Sequence, residues 1–411
     1  MCGIAGFVGE TQDPRDAPLI VNRMLSAIRY RGPDEIGCRA EARAALGVVR
    51  LSIIDLATGQ QPMASPDGRW WLAFNGEIFN YRELHARLAA EGWRFRTSSD
   101  TEVLLAALLR WGERAAAELN GQFAFALYNR QERVLLLGRD RFGERPLFYA
   151  PTGGGLVFGS EIKALLQHPA IAPRLSASSI AMLFRLWTSV SGRTCFDGIA
   201  SVPPGHLLRW RDGAVTVTAY HALPVGGLPR AIGLEEAKAE LGARLRDSVR
   251  LRLRSDVPVG VYLSGGLDST LVTALAREQL PGALDSYSVA FDDREYDESA
   301  YQAEAANRYG TRHHTVRIAN DDIVGAFPAV VRHAETALFR SAPAPLYLLS
   351  RAVADNGLKV VLTGEGADEA FLGYDIFRET LFREAYPVMT PDQRRAAAER
   401  LYPYMPRLHA D

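Results

Sequence analysis

The sequence predicts an α/β protein of two domains, in which stacked sheets flanked by helices precede a separate parallel-sheet domain. Three observations carry that reading. Residues 1–160 hold short apolar runs divided by turn residues, as hairpin-joined strands do. From about Gly233, near-continuous apolar strands alternate with helices, the grammar of a parallel sheet covered on both faces. Between the two, residues 205–233 concentrate Pro and Gly in "PPGH", "RDG" and "LPVGGLP". The expected division is 1–210, a linker over 211–233, and 234–411.

In the first half, "CGIAGFVG", "AALGVVRLSIID", "WWLAFNGEIFN", "GQFAFALYN", "RVLLLGRD" and "GLVFGS" read as strands, with "PTGGGLVFG" at a hairpin tip. "APLIVNRMLSAIRY" and "DTEVLLAALLRWGERAAAEL" carry the helical period. A helix and several strands on each side of position 90 suggest two sheets packed together under helices. In the second half, "LEEAKAELGARLRDSVRLRL" is an amphipathic helix and "VPVGVYL" a strand. "STLVTALAREQL" (helix), "LDSYSVAF" (strand), "SAYQAEAANRYG" and "PLYLLSRAVADNG" (helices) and "LKVVLT" (strand) follow. No internal repeat is evident.

Composition narrows the class. With 47% hydrophobic and 23% charged residues over 411, the chain has the balance of a soluble globular protein. Its formal net charge of −1 gives no broad pull toward nucleic acid or anionic membrane. No apolar run approaches the ~20 residues of a membrane helix, and the N-terminus lacks the layout of a secretion signal. Cys2, Cys38 and Cys195 are odd in number and form no CxxC, against a disulfide framework or structural zinc. The expectation is a cytoplasmic protein without membrane or nucleic-acid partners.

Cys2 stands out by position. A lone cysteine is ordinarily a small buried hydrophobe. If Met1 is trimmed, however, Cys2 carries a free α-amino group with an ordinary pKa of ~7.7–8.0, close enough to neutrality to take the thiol proton. One residue would then supply both nucleophile and base, and Gly3 beside it permits close backbone approach.

Five motifs occur in order: "MCGIAGF", "RGPD" (31–34), "RLSIID" (50–55), "FNGEIFNY" (74–81) and "SSDTEVLL" (98–105). Together they resemble the glutaminase domain of class II glutamine amidotransferases, in particular glutamine-hydrolysing asparagine synthetases. The resemblance implies an N-terminal-nucleophile α-β-β-α sandwich with Cys2 as the nucleophile. It implies that the Asn75 amide and the Gly76 N–H meet the developing oxyanion, Asn75 also touching the substrate. Arg50 would hold the carboxylate of glutamine, and Glu77 and Asp100 its ammonium group. The chemistry agrees: a guanidinium fork suits a carboxylate, and acyl transfer needs preset donors.

"VYLSGGLDSTLV" sets Ser264, Gly265, Gly266, Asp268 and Ser269 between a strand and a helix, where backbone N–H groups can close on an anion. A Gly-Gly pair by itself is a tight turn, and GxxxxGK[ST] is absent. The order strand–SGGxDS–helix resembles the pyrophosphate loop of ATP pyrophosphatases and implies a Rossmann-like domain that cleaves ATP to AMP and pyrophosphate. "VVLTGEGADEAFLGY" ends a second strand and is similar to that family's S-G-E-G-[SA]-D-E. In open parallel sheets ligands gather at the carboxyl ends of strands, where both loops lie. The resemblance implies Mg²⁺ on Asp268 and Asp368, Glu365 acting in the ammonia step, and adenosine held by backbone near Leu263, Val289 and Gly364.

The function implied is hydrolysis of glutamine to glutamate and ammonia, which amidates an ATP-activated small carboxylic acid such as aspartate, in a homodimer. Rivals are an amide-bond former of the β-lactam-synthetase or lasso-cyclase kind, against which the presence of Cys2, Arg50, Asn75 and Asp100 counts, and a glutaminase-only or non-catalytic binding module, against which the polar groups of both sites count. Adjacent His313 and His314 point to different faces and read as structural, and Cys38 and Cys195 as inert. Arg340 is a candidate for the acceptor carboxylate in "ETALFRSAPAPLYLLS", a stretch shorter and more proline-rich than the family's. The likeness runs from Met1 to about Tyr374. The family's later lysine and "R-V-P-F-L-D"-like segment have no counterpart before Asp411, so the expectation is an incomplete synthetase half.

Overall fold

The computed structural model describes residues 2–9, 14–190, 192–223 and 230–401. The chain divides into two compact units, Met1–Val259 with Val316–Val360, and Gly260–Thr315 with Val361–Asp411. The first unit holds two antiparallel six-stranded sheets. One contains β1 (Gly3–Val8), β2 (Glu35–Glu41), β3 (Ala44–Arg50), β8 (Phe148–Pro151), β9 (Leu156–Gly159) and β10 (Ala200–Ser201), in the order β10-β8-β9-β1-β3-β2. The other contains β4 (Met63–Ala64), β5 (Trp70–Ile78), β6 (Gly121–Asn129), β7 (Val134–Arg139), β11 (His206–Arg211) and β12 (Ala214–Ala219), in the order β12-β11-β7-β6-β5-β4. Strand β12 lies within the stretch read as linker, and pairs along β11 from Ala214↔Arg211 to Ala219↔His206. Asp212 and Gly213 make the turn of this hairpin, both at positive φ; residues 224–229 of the expected linker lie outside the described residues.

Strand alternation builds the layers. Ile4 and Val8 of β1 pack with Trp71, Ala73 and Ala124 between the sheets, whereas Ala5 and Phe7 face outward against Val21, Met24 and Leu25. Those three belong to α1 (Ala17–Ala27), which lies on the first sheet with α5 (Ile162–Leu165). Leu72 and Phe74 of β5 face the other way, into α2 (Tyr81–Ala90), α3 (Asp100–Trp111) and α4 (Ala115–Glu118). A period of two along each strand thus produces helix, sheet, sheet and helix in sequence. Gly47 lets α1 sit close: a Cβ there would crowd the Leu25 side chain.

Helices α6 (Ala177–Leu186), α7 (Leu234–Arg252), α10 (Asn320–Ala334) and α11 (Pro343–Asp355) complete the first unit. The second unit is built on β13 (Val259–Tyr262), β14 (Asp285–Phe291), β15 (Arg312–Ile318) and β16 (Val360–Leu362), in the order β15-β14-β13-β16, with β13 and β14 parallel. To the same unit belong α8 (Leu267–Gln279), α9 (Ser299–Tyr309), α12 (Ala367–Phe371), α13 (Asp375–Ala385) and α14 (Pro391–Ala398). Among the described residues no helix is long and apolar enough to cross a membrane.

Candidate active site

Cys2 immediately precedes β1, which runs between β3 and β9. Its Sγ accepts the Leu51 N–H at 3.4 Å and donates to the Leu51 carbonyl at 3.6 Å. Its own carbonyl accepts from Arg31 Nε at 2.9 Å. Arg31 is held in turn by Glu161 at 2.7 Å, and Glu161 also bonds Tyr30 and Lys163. Burial pushes the Cys2 thiol above its ordinary range. Met1, whose removal would free the α-amino group, lies outside the described residues.

A recess beside Cys2 is lined by Arg50, Asn75, Gly76, Glu77 and Asp100, so the structure brings together the six glutamine-side residues read from the sequence. Each is set by an element end or a strand. Arg50 closes β3; Asn75, Gly76 and Glu77 lie in β5; Asp100 opens α3 behind its N-cap Ser99, whose side chain accepts the Thr101 N–H. Asn75 is fully buried, with Nδ2 3.5 Å from Ser160 Oγ and Oδ1 without a hydrogen-bond partner among the described residues. A buried acceptor without a donor, on the wall of a recess, suits a ligand N–H.

The acids are crowded. Burial raises Glu77, and burial pushes Asp100 up to about 7, with the Glu77 charge adding to it against a 3.0 Å bond from the Ile78 N–H. An incoming ammonium group would let both ionise. Arg50 is already engaged: one terminal nitrogen bonds both Glu35 oxygens at 3.1 Å, and the other bonds the Ile54 carbonyl at 3.1 Å and the Asp55 carbonyl at 2.6 Å. A ligand carboxylate must share or displace Glu35. Glu35, Ser160 and Arg145, which also lines the recess, were not singled out from the sequence. Glu35 follows "RGPD" directly, the one local signal it offered.

The second unit carries the glycine loop between β13 and α8. Ser264 and Ser269 hydroxyls lie 2.9 Å apart, the Ser264 N–H donates to Ser269 Oγ at 3.1 Å, and Gly266 caps α8. Gly265 has φ +89°, and a Cβ there would come within 3.0 Å of Tyr301. Gly364 closes on the same turn: its Cβ would lie 2.8 Å from the Ser269 nitrogen and 3.0 Å from Asp268 Cβ. The two loops are therefore in contact. Leu263 is buried, with its N–H on the Tyr287 carbonyl at 2.9 Å. Gln302, unremarked in the sequence, donates to the Val289 carbonyl at 2.9 Å and the Ser264 carbonyl at 3.4 Å.

Glu365 is exposed on its loop, and the Asp368 carboxylate packs against Gly373. Among the described residues no three His, Cys, Asp or Glu side chains converge on a metal position. Asp268 is the second residue of α8 and Asp368 the second of α12, each bearing hard oxygen donors. His313 bonds Ser286 at 2.9 Å, and His314 bonds Asp285 at 2.8 Å while stacked on Tyr287. Both are engaged within the β14–β15 pair. Arg340 belongs to the first unit, its guanidinium 5.0 Å over the Trp187 ring. Cys38 is exposed, and buried Cys195 lies 3.4 Å from Thr336 Oγ1.

The family model described as a glutamine amidotransferase domain matches residues 1–221, and that described as asparagine synthase matches residues 240–410. The chain is similar to asparagine synthetase [glutamine-hydrolyzing] 1 of Bacillus subtilis (strain 168), 36% identical over 93% of this chain and 60% of that protein. Asparagine synthetase B of Escherichia coli (strain K12) is 33% identical over 92% of this chain and 66% of its own length. The amidase chry2 of Gibberella zeae is 34% identical over 98% of this chain and 64% of its own. The chain thus spans between 60% and 66% of the length of these three relatives.

Proposed function

The chain belongs to the glutamine-hydrolysing asparagine synthetase family, and on that footing we propose that it hydrolyses glutamine and passes the ammonia to an ATP-activated carboxylate. The carrying observation is the recess that sets Cys2 beside Asn75, Gly76, Arg50, Glu77 and Asp100. In this reading the Cys2 thiolate attacks the side-chain carbonyl carbon of glutamine. The Asn75 amide and the Gly76 N–H receive the oxyanion. The α-amino group freed by loss of Met1 takes the thiol proton and returns it to the departing ammonia, and water then cleaves the thioester to glutamate. Arg50 on the carboxylate, with Glu77 and Asp100 on the ammonium, fixes the non-reacting end.

In the second unit, the loop at 264–269 would cradle the phosphates of ATP, with backbone at Leu263, Val289 and Gly364 around the adenosine. ATP supplies an adenylate leaving group on the acceptor. Asp268 and Asp368 would hold Mg²⁺, which offsets phosphate charge, and Glu365 would take a proton from the attacking nitrogen. Aspartate is the acceptor favoured by the family. A homodimer in the cytoplasm follows from the same reading, and three free thiols suit a reducing compartment. Cys2 with its oxyanion donors favours this over the amide-forming rival, which needs no glutaminase.

A product assay tests the proposal: glutamine, Mg-ATP and a panel of small carboxylic acids, with glutamate, AMP, ADP and new amides measured together. Glutamate release should fall at least ~1000-fold in Cys2→Ala. Undiminished release in that variant would remove the nucleophile, and ADP in place of AMP would remove the pyrophosphate-loop reading.

A further inference from the structure

The loop after Arg50 is tied down at one residue. Asp55 is buried in the left-handed region, φ +51°. Its Oδ1 accepts the Thr58 N–H at 2.8 Å; its Oδ2 accepts the Thr58 hydroxyl at 2.6 Å and the Ser98 N–H at 2.9 Å. Its carbonyl accepts from Arg50 at 2.6 Å and from the Gly59 N–H at 3.2 Å. One residue therefore touches the guanidinium meant for the substrate carboxylate and, through Ser98, the turn that leads by Ser99 into Asp100, meant for the ammonium. Asp55 thus bridges the Arg50 side and the Ser98–Asp100 side of the recess.

Asp55 is itself latched from a distant part of the chain. Its N–H donates to Asp256 Oδ2 at 2.7 Å, and the Asp256 N–H donates to the Ile53 carbonyl at 3.0 Å. Leu51, Ile53 and Ile54 of the latched loop line the recess, and Leu51 holds the Cys2 sulfur. Asp256 is exposed, so its hydrogen bonds are not needed to satisfy its own burial. Their effect falls on the loop.

We propose that Asp55 and Asp256 are positioning residues for glutamine recognition, Asp55 fixing Arg50 against the start of α3 and Asp256 latching the loop that carries it; this rests on the glutaminase reading above. Because they act on the non-reacting end of the substrate, their loss raises KM and spares kcat. Losing one hydrogen bond of this kind corresponds to a change of about tenfold.

The test is steady-state glutamine hydrolysis by the full chain. Asp256→Ala should raise the glutamine KM about tenfold with kcat within about twofold, while Asp256→Asn, which keeps an acceptor oxygen, should stay within about threefold of the parent. Thr58→Val, at an exposed position, should give a smaller rise of the same kind. It carries the test if thermal scans show Asp256→Ala to be unfolded. Unchanged KM in Asp256→Ala and Thr58→Val, or an equal loss of kcat in the Ala and Asn variants, overturns the latch. No hydrolysis by the parent chain overturns the underlying glutaminase reading instead.

Discussion

At the scale of single residues, Asp100 is a carboxyl that the fold buries in the wall of the recess. Burial pushes it up to about 7 from an ordinary value of 3.8. The folded state then binds its proton more tightly than the unfolded chain, so stability from this group is present below about pH 4 and is lost as pH rises to about 7. Glutamine should bind best once Asp100 is ionised. The glutamine KM of the parent is expected to fall as pH rises through about 7, and Asp100→Asn should show a high, flat KM. Without ligand, the same variant should gain stability relative to the parent above pH 7, on the order of a few kcal/mol. Denaturation curves at pH 5 and pH 8 check the sign; a larger gain at pH 5 would mean that Asp100 is not held neutral. The identity of this residue was legible from "SSDTEVLL", but its altered pKa was not, because burial depends on what the fold stacks over it.

At the scale of elements, the strand runs in the first half were readable because each alternates cleanly between two different apolar layers. The helices α2 and α10 were not. "YRELHARLAA" buries only Leu84 and Leu88, and α10 carries Pro328 in its interior, which breaks the expected pattern. The loops at 264 and 364 were readable by motif, but their contact follows from the sheet order β14-β13-β16, which sets β16 beside β13. A side chain at Gly364 would meet the Ser269 nitrogen at 2.8 Å. Gly364→Ala should therefore weaken ATP binding at least ~10-fold while leaving glutamine hydrolysis intact. Calorimetry with Mg-ATP reads the first and glutamate release the second; unaltered ATP affinity would show that the two loops do not share a ligand.

At the scale of the whole molecule, the first unit is discontinuous in sequence. Residues 316–360 return to it, and Glu335 accepts the backbone N–H groups of Ile162 and Lys163 at 2.6 Å each, with Lys163 Nζ at 2.9 Å. Arg254 likewise makes a bidentate pair with Glu83 at 2.6 Å. Glu335→Ala should cost the unit about 1–3 kcal/mol by leaving two backbone donors unsatisfied, seen as a lower midpoint in urea. A midpoint equal to the parent's would show the contact to be dispensable. The two chemistries should also separate: Asp268→Asn is expected to reduce ATP binding with glutamine turnover unchanged, measured on one preparation.

By itself the sequence determined the layers, the thiol at position 2 and the two glycine loops, since alternation, a cysteine beside the start and glycines between strand and helix are local in the chain. Which unit each segment joins was decided only in three dimensions. Asp256 reaching Asp55, Glu35 occupying Arg50 and Glu335 capping α5 join residues between 15 and 201 positions apart. Such pairings leave no periodic trace, because a single hydrogen bond constrains one side chain and not the pattern around it.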